Sequence, residues 1–271
     1  MKKIRLTTLF LAFWLALNPA FAGEGVKSQD DATDLAELDE NPVAKLIRLQ
    51  IEDNVQFGFG PDNGTLNFLR IEPTVAFNLS KRLSLVTRAI FPIVHQPFPQ
   101  PADGVGEIGL QLFLAPRKKS NLFWGFGPAF VFPSATKEIL GTEKWSAGPS
   151  AVLGYRAGRW VFGTIVNQLW SYAGADDRKD VNAMTLRPFV YFNFSHGWFL
   201  VSSPSIVASW NADDANHLWL IPVGGGVGKL FKLGSKGKGI KTSIEAYDHV
   251  KAPAIGPDWQ LRFQLTFLFP R

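Results

Sequence analysis

The side chains able to act as catalysts are few. Four histidines, His95, His196, His217 and His249, are spread along 271 residues that hold no cysteine. Thiol chemistry, disulfides and a lipid-modified cysteine anchor are therefore excluded. A serine–histidine pair near a membrane rim could hydrolyse or transfer an acyl group. His95 and His217, with Ser146, Ser171 and Ser209, are the residues that could supply one. Nothing in their spacing gathers a serine and a carboxylate about one histidine, and solvated or hydrogen-bonded rim histidines are the plainer reading. No His/Asp/Glu spacing repeats at i, i+2 or i+4, so neither a metal nor another cofactor is expected. Gly224-Gly225-Gly226-Val227-Gly228-Lys229 invites comparison with a phosphate-binding loop. It has Val223 where that motif needs its first glycine and Leu230 where it needs Ser or Thr. It reads instead as a glycine-softened strand end. The chain is not expected to be an enzyme.

A second set of residues carries a different chemistry. Arg48, Glu52, Arg70, Glu72, Arg88, Glu107, Arg187, Lys241, Glu245 and Arg262 each interrupt an otherwise apolar segment on the opposite parity from its hydrophobic residues. In the first segment Ile47, Leu49, Ile51, Val55, Phe57 and Phe59 share one face, and Arg48, Gln50, Glu52, Asn54 and Gln56 the other. In the last, Leu261, Phe263, Leu265, Phe267 and Phe269 alternate with Arg262, Gln264 and Thr266. Period-2 alternation is the mark of a strand with two unlike faces. Lining the inside of a closed sheet, these charges would form a polar lumen able to select among permeating solutes. Gly125, Gly127, Ala129, Val161, Gly163, Ile165, Ser203, Ser205, Gly224 and Gly226 should form a small, nearly apolar wall opposite. A lumen merely filled by paired charges, as in narrow barrels, is the competing reading.

Twelve such segments can be counted. Between the first and the last lie Leu66–Leu79, Leu83–Gln96, one around Ile108–Leu114, Leu122–Pro133, Lys144–Tyr155, Trp160–Ser171, Ala183–Asn193, Trp198–Trp210, Leu218–Leu230 and Ile240–His249. Compact, mostly basic connections alternate with longer, more acidic ones, the pattern of bacterial barrels whose short turns face the periplasm. Trp124, Trp145, Trp160, Trp170, Trp198, Trp210, Trp219 and Trp259 fall at segment ends. Ten residues of tilted strand climb about 25 Å, the height of an outer-membrane apolar band, and tryptophan favours its two interfaces. The chain is thus expected to be all-β, a transmembrane antiparallel up-and-down β-barrel of about 12 strands spanning residues 45–271. One feature opposes this. Pro73, Pro92, Pro128, Pro149, Pro188, Pro204 and Pro222 fall inside segments, where each removes a ladder hydrogen bond. Most lie at a similar height, which predicts a belt of bulges.

The N-terminus fits export. Lys2, Lys3 and Arg5 precede an apolar run from Leu6 to Leu17 and the small residues of Ala20-Phe21-Ala22, so residues 1–22 read as a cleaved signal peptide. Cleavage would remove three of the 28 basic residues and none of the 23 acidic ones, leaving 25 against 23 and a net charge of +2. No basic arm remains to suggest a nucleic-acid partner. Residues 23–44 are an acidic periplasmic N-terminal segment, expected to stand outside the barrel.

Several longer stretches carry a resemblance. They are Asn41-Pro42 through Phe57-Gly58-Phe59-Gly60-Pro61, Lys144-Trp145-Ser146-Ala147-Gly148-Pro149, Pro222-Val223-Gly224-Gly225-Gly226-Val227-Gly228, and Gly256-Pro257-Asp258-Trp259-Gln260-Leu261-Arg262-Phe263-Gln264. They resemble the Gram-negative outer-membrane β-barrel "transporter" family, some members of which carry the misleading name neuromedin U. They are more distantly similar to the barrels of the meta-pathway of phenol degradation. The resemblance covers nearly all of residues 23–271 and implies a barrel in the cell outer membrane with a transport role. It carries over no substrate and no functional residue. Outer-membrane chains commonly end in Phe, read by the barrel-assembly machinery, whereas here Pro270-Arg271 follow Phe269. The expected function is passive passage of small solutes, small anions or aromatic acids among them. Outer-membrane lipid and the assembly machinery are the other expected partners. A plugged structural or partner-binding barrel and a lipid-modifying outer-membrane enzyme are the alternatives.

Overall fold

The structure, a computed structural model, describes residues 39–44, 46–118, 120–212, 218–233 and 238–270. The expected signal peptide, residues 23–38 and His217 lie outside the described residues.

Alternating sequence becomes strand throughout. In chain order these are β1 (Leu46–Phe59), β2 (Gly64–Asn78), β3 (Leu83–Gln96), β4 (Ala102–Val105), β5 (Gly109–Pro116), β6 (Leu122–Val131), β7 (Lys144–Ala157), β8 (Trp160–Gly174), β9 (Asn182–Asn193), β10 (Trp198–Ser202), β11 (Ile206–Ser209), β12 (Trp219–Leu233), β13 (Lys238–Lys251) and β14 (Trp259–Pro270). Every pairing is antiparallel. The sheet closes because β1 pairs with β2 on one side and with β14 on the other, Ile51 standing opposite both Ile71 and Leu265. β4 and β5 run one after the other along β3, and β10 and β11 along β9, so each pair is a single interrupted stave. The result is a closed 12-strand antiparallel barrel. Closure joins the first and last strands, so that most backbone groups pair within the wall; β4 pairs with β3 alone.

The outer surface is apolar. Phe77, Phe91, Ile93, Phe126, Leu153, Phe162, Val190, Leu200, Val223, Ile244 and Phe263 are all exposed, an arrangement that water penalises and lipid does not. Trp124, Trp160 and Trp198 lie near the short-turn rim, and Trp145, Trp170, Trp210, Trp219 and Trp259 near the long-loop rim. Several are braced by ring contacts: Trp210 against Trp219, Trp259 on Phe57, and Trp198 beneath the Lys229 ammonium. No described helix is long and apolar enough to cross a membrane.

The prolines act differently from expectation. Pro73 opposes Leu49 in register, yet on its other side the β2–β3 ladder lapses at 72–73. Pro128 faces Pro149, and the β5–β6 and β7–β8 ladders lapse beside them. Pro188 stays in register with Thr164, while Pro204 breaks the β10–β11 stave outright. Register shifts fall instead at Phe57/Phe59, Trp145/Ser146 and Ile221/Pro222. Only Pro222 adjoins one. A missing N–H opens one side of a ladder without demanding an extra residue, so the belt consists of gaps rather than bulges.

Gly226, in the run compared above with a phosphate loop, is needed for wall closure. A Cβ there would run into the Ile244 carbonyl oxygen of β13. Backbone cannot step aside as a flexible side chain can. Gly226→Ala is therefore expected to exceed the roughly 1–3 kcal/mol of ordinary overpacking and to cut the yield of folded barrel sharply. Gel mobility with and without heating would report it, and a native yield would refute it.

Candidate functional site

Side chains on the inner face occupy the lumen in two layers. Toward the short-turn rim lies an apolar cluster of Ala76, Val86, Phe113, Ala115, Phe123, Val152, Val161, Ile165 and Phe189, with Tyr191 packed against it. Leu46, Leu230, Leu268 and Phe199 are buried at the same end. The small wall expected from Gly125, Val161, Gly163 and Ile165 is thus covered by aromatic rings from neighbouring strands. Their inward parity was readable, since Phe113 shares it with Gln111, and Phe189 and Tyr191 share it with Arg187.

Above this floor lies a layer of ions. Glu52 is at its centre, fully buried, and pairs with Arg70 on β2, Arg262 on β14 at 3.4 Å and Arg187 on β9 at 3.3 Å. Asn54 and Gln50 add amide donors at 3.0 Å each. β9 stands across the lumen from β1, so the Arg187–Glu52 pair spans the barrel. Glu72 accepts from Arg88 and lies 3.6 Å from Arg70 Nε. Glu245 takes Tyr247, Ser203 and Ser243 as donors and meets Arg262 at 3.4 Å. Charge-assisted bonds of this kind are about twice as strong as neutral ones. Burying so many ions is tolerable because Glu52 and Glu245 each have several donors and Glu72 takes two from Arg88.

The network also mends the wall. At the Pro204 break, the Ser203 N–H donates to the Tyr247 hydroxyl at 2.8 Å, and Arg262 Nη1 donates to the Ser203 carbonyl at 2.8 Å. Ser203, expected on the apolar wall, thus belongs to the ionic layer.

The acidic segment supplies the largest departure from expectation. Residues 39–44 are inside the barrel, not outside it. Arg48 donates to the carbonyls of Asp39, Asn41 and Pro42 at 2.8, 3.1 and 2.9 Å, holding the turn by its backbone. Lys241 Nζ lies 3.3 Å from the Asp39 carboxylate and 3.7 Å from that of Glu40. Asn193 donates to Glu40 at 2.9 Å. Val43 joins the apolar cluster, against Gly125, where a Cβ would come within 3.0 Å of its side chain. Backbone parity cannot reveal this, because a turn that folds back into a lumen has no strand period.

Glu107 stands apart from the other charged positions. It sits in the break between β4 and β5, where its Oε1 accepts from the Thr142 N–H and hydroxyl and the Glu143 N–H at 2.7, 2.8 and 3.1 Å. It fastens a long loop rather than the ionic layer, because the interruption at 106–108 carries it out of strand register. Nearby, a recess of about 720 Å³ opens among Gln100, Thr136, Glu138 and Arg178 at the long-loop rim. Within the lumen, a cavity of about 90 Å³ remains between Arg48, Arg88, Arg187, Tyr191 and the Asp39–Glu40 turn. The turn and the ionic layer narrow the lumen at this level.

Among the described residues, His95 and His249 form no catalytic group with the rim serines. His95 pairs with Asp103 at the exposed rim, His249 contacts the Pro257 carbonyl and Gln260, and Ser171 donates to Asp180. Among the described residues, no three His, Cys, Asp or Glu side chains gather to hold a metal ion.

No protein-family model matches the chain, and no curated protein sequence matches it. Its fold is found among solved structures. An outer-membrane channel from Pseudomonas putida F1 superposes with a TM-score of 0.63 at 14% identity, over 85% of this chain and 98% of that one. The NanC porin follows with 0.52 at 11% identity, over 82% and 100%. At these identities what is shared is the barrel.

Proposed function

We propose that this chain is an outer-membrane channel for the passive passage of small solutes, and that it rests closed. The observation that carries the reading is how closure of the wall and closure of the lumen are divided. The sheet closes through β1 and β14 with no contribution from residues 39–44, whereas the lumen is filled by that turn and by side chains. The turn could therefore leave without opening the wall. The apolar exterior and paired tryptophan girdles fit the outer membrane, with its lipid as solvent and the barrel-assembly machinery as the route in. The similar folds of an outer-membrane channel and a porin point the same way.

The charge balance favours anions. Arg48, Arg70, Arg88, Arg187, Lys241 and Arg262 face Asp39, Glu40, Glu52, Glu72 and Glu245. Withdrawal of the turn takes two carboxylates with it and leaves three against six basic groups. Guanidinium stays charged in such surroundings. Small anions, including aromatic acids, are the solutes this lumen would admit. Planar-bilayer recording in a salt gradient tests it. The reversal potential should favour anions weakly and lose that preference as salt rises. Replacing Arg70 and Arg262 together with Gln should move it toward cations. An unchanged potential in a folded double variant would remove these residues from the path, and absence of any conductance, even with residues 23–44 deleted, would remove the channel reading.

A further inference from the structure

Lys241 has an unusual setting. Its ammonium lies 4.5 Å from the ring centroids of both Tyr191 and Phe199. The side chain is 3% exposed, yet its charge meets Asp39 and Glu40, residues of the N-terminal turn rather than of the barrel wall. Glu52, Glu72 and Glu245 belong instead to the layer of ions above. Arg48 completes one side of the seat, and its Nε is buried with no hydrogen-bond partner. Asn193 offers an amide donor on the other side. The wall alone thus presents an ammonium, a guanidinium and an amide within an aromatic surround. The two rings give their faces to the ammonium, and Tyr191 also lines the cavity beside the turn.

We propose that this cradle is a binding site for small aromatic carboxylates, and that Asp39 and Glu40 occupy it as a tethered stand-in for them. A solute carboxylate would take the place of the turn's carboxylates on Lys241 and Arg48, and its ring would lie against Tyr191 and Phe199. The adjoining cavity of about 90 Å³ is smaller than the roughly 150 Å³ of an apolar cavity that takes benzene, so the solute enters as the turn leaves. Solute binding and opening of the lumen then become one exchange. A tethered ligand competes at an effective concentration in the millimolar range. The native protein should accordingly ignore traces of solute and respond only when the outside concentration approaches that value. What the bound solute does next rests on the channel reading. The binding itself does not.

The test therefore measures binding without flux. The full chain, folded in detergent, is titrated with benzoate, acetate and benzamide by calorimetry, as native protein and as Asp39→Asn/Glu40→Gln. Benzoate should bind the double variant about tenfold or more tightly than the native protein, as the competitor's charge is lost. Acetate should bind less tightly than benzoate for want of a ring, and benzamide should show no gain for want of a charge. Adding Lys241→Met to the double variant should abolish the gain. A gel-mobility shift on heating certifies folding, and if the double variant does not fold, Glu40→Gln alone is read on the same scale with a smaller shift. Equal benzoate affinity in native and folded variant protein overturns the proposal, as does a gain that survives Lys241→Met. Benzoate binding as proposed, with no conductance in bilayers, would leave the site standing and remove the channel.

Discussion

Glu52→Gln should destabilise the folded barrel by about 3–5 kcal/mol, the usual loss when one member of a buried ion pair is removed. The effect belongs at the upper end because one carboxylate serves three guanidiniums. Arg70, Arg187 and Arg262 would face one another around a neutral amide, in a place from which water is largely excluded. The Arg187 bridge across the lumen would go at the same time. Denaturant unfolding from vesicles, followed by tryptophan fluorescence, measures the loss. A change below about 1 kcal/mol would mean that water enters freely enough to replace the carboxylate, the behaviour of an exposed pair. A control follows from the same physics. Arg187→Met with Glu52 intact removes one of three cations and should lose less, because Glu52 keeps Arg70, Arg262, Asn54 and Gln50.

Deleting residues 23–44 should convert a mostly closed lumen into a conducting one. The turn is seated by Arg48, Lys241, Asn193 and the packing of Val43 against the apolar cluster. If that seat is worth about 3 kcal/mol, its loss shifts the ratio of open to closed by about a hundredfold. Bilayer recordings should show sustained openings where the native protein shows brief ones, and liposomes should swell faster in small organic anions. A deleted barrel that folds and still does not conduct would favour the competing reading, a lumen filled for structural reasons by its ionic layer. That outcome has a specific observation behind it, since Arg187–Glu52 spans the lumen without the turn.

The wall was legible in the sequence because a barrel strand has a period. Ile47 to Phe59 and Leu261 to Phe269 sort their residues to two faces by parity alone, and the inward arginines and glutamates follow from the same rule. What stayed illegible lacks a period. The turn of Asp39 to Ala44 reads as an acidic segment, and its charges signal a solvated tail as readily as a lumen filler. Glu107 has the parity of a lumen residue but falls in a break that parity cannot see. Composition marked Pro204 as an offence against the strand, yet gave no hint that Tyr247 and Arg262 would take up the backbone groups around it. Depth was hidden too. Parity sets charged and apolar inner residues on facing walls, whereas the structure stacks them largely as floor and ceiling, because the apolar positions lie nearer the short-turn ends of their strands.

The turn's seat joins the two extremes of the chain. Asp39 is held by Arg48, nine residues away on the first strand, and by Lys241, on the last strand but one. Half of that seat does not exist until β13 and β14 have arrived and β1 has met β14. A nascent sheet, still open along one side, therefore offers the turn only the Arg48 half of its seat, and the contact with Lys241, so far away in sequence, forms late. The stopper can enter only a finished vessel. Sealing then serves as the last act of assembly, so that a half-built barrel leaves its inner face to water while a completed one shuts itself without any further component.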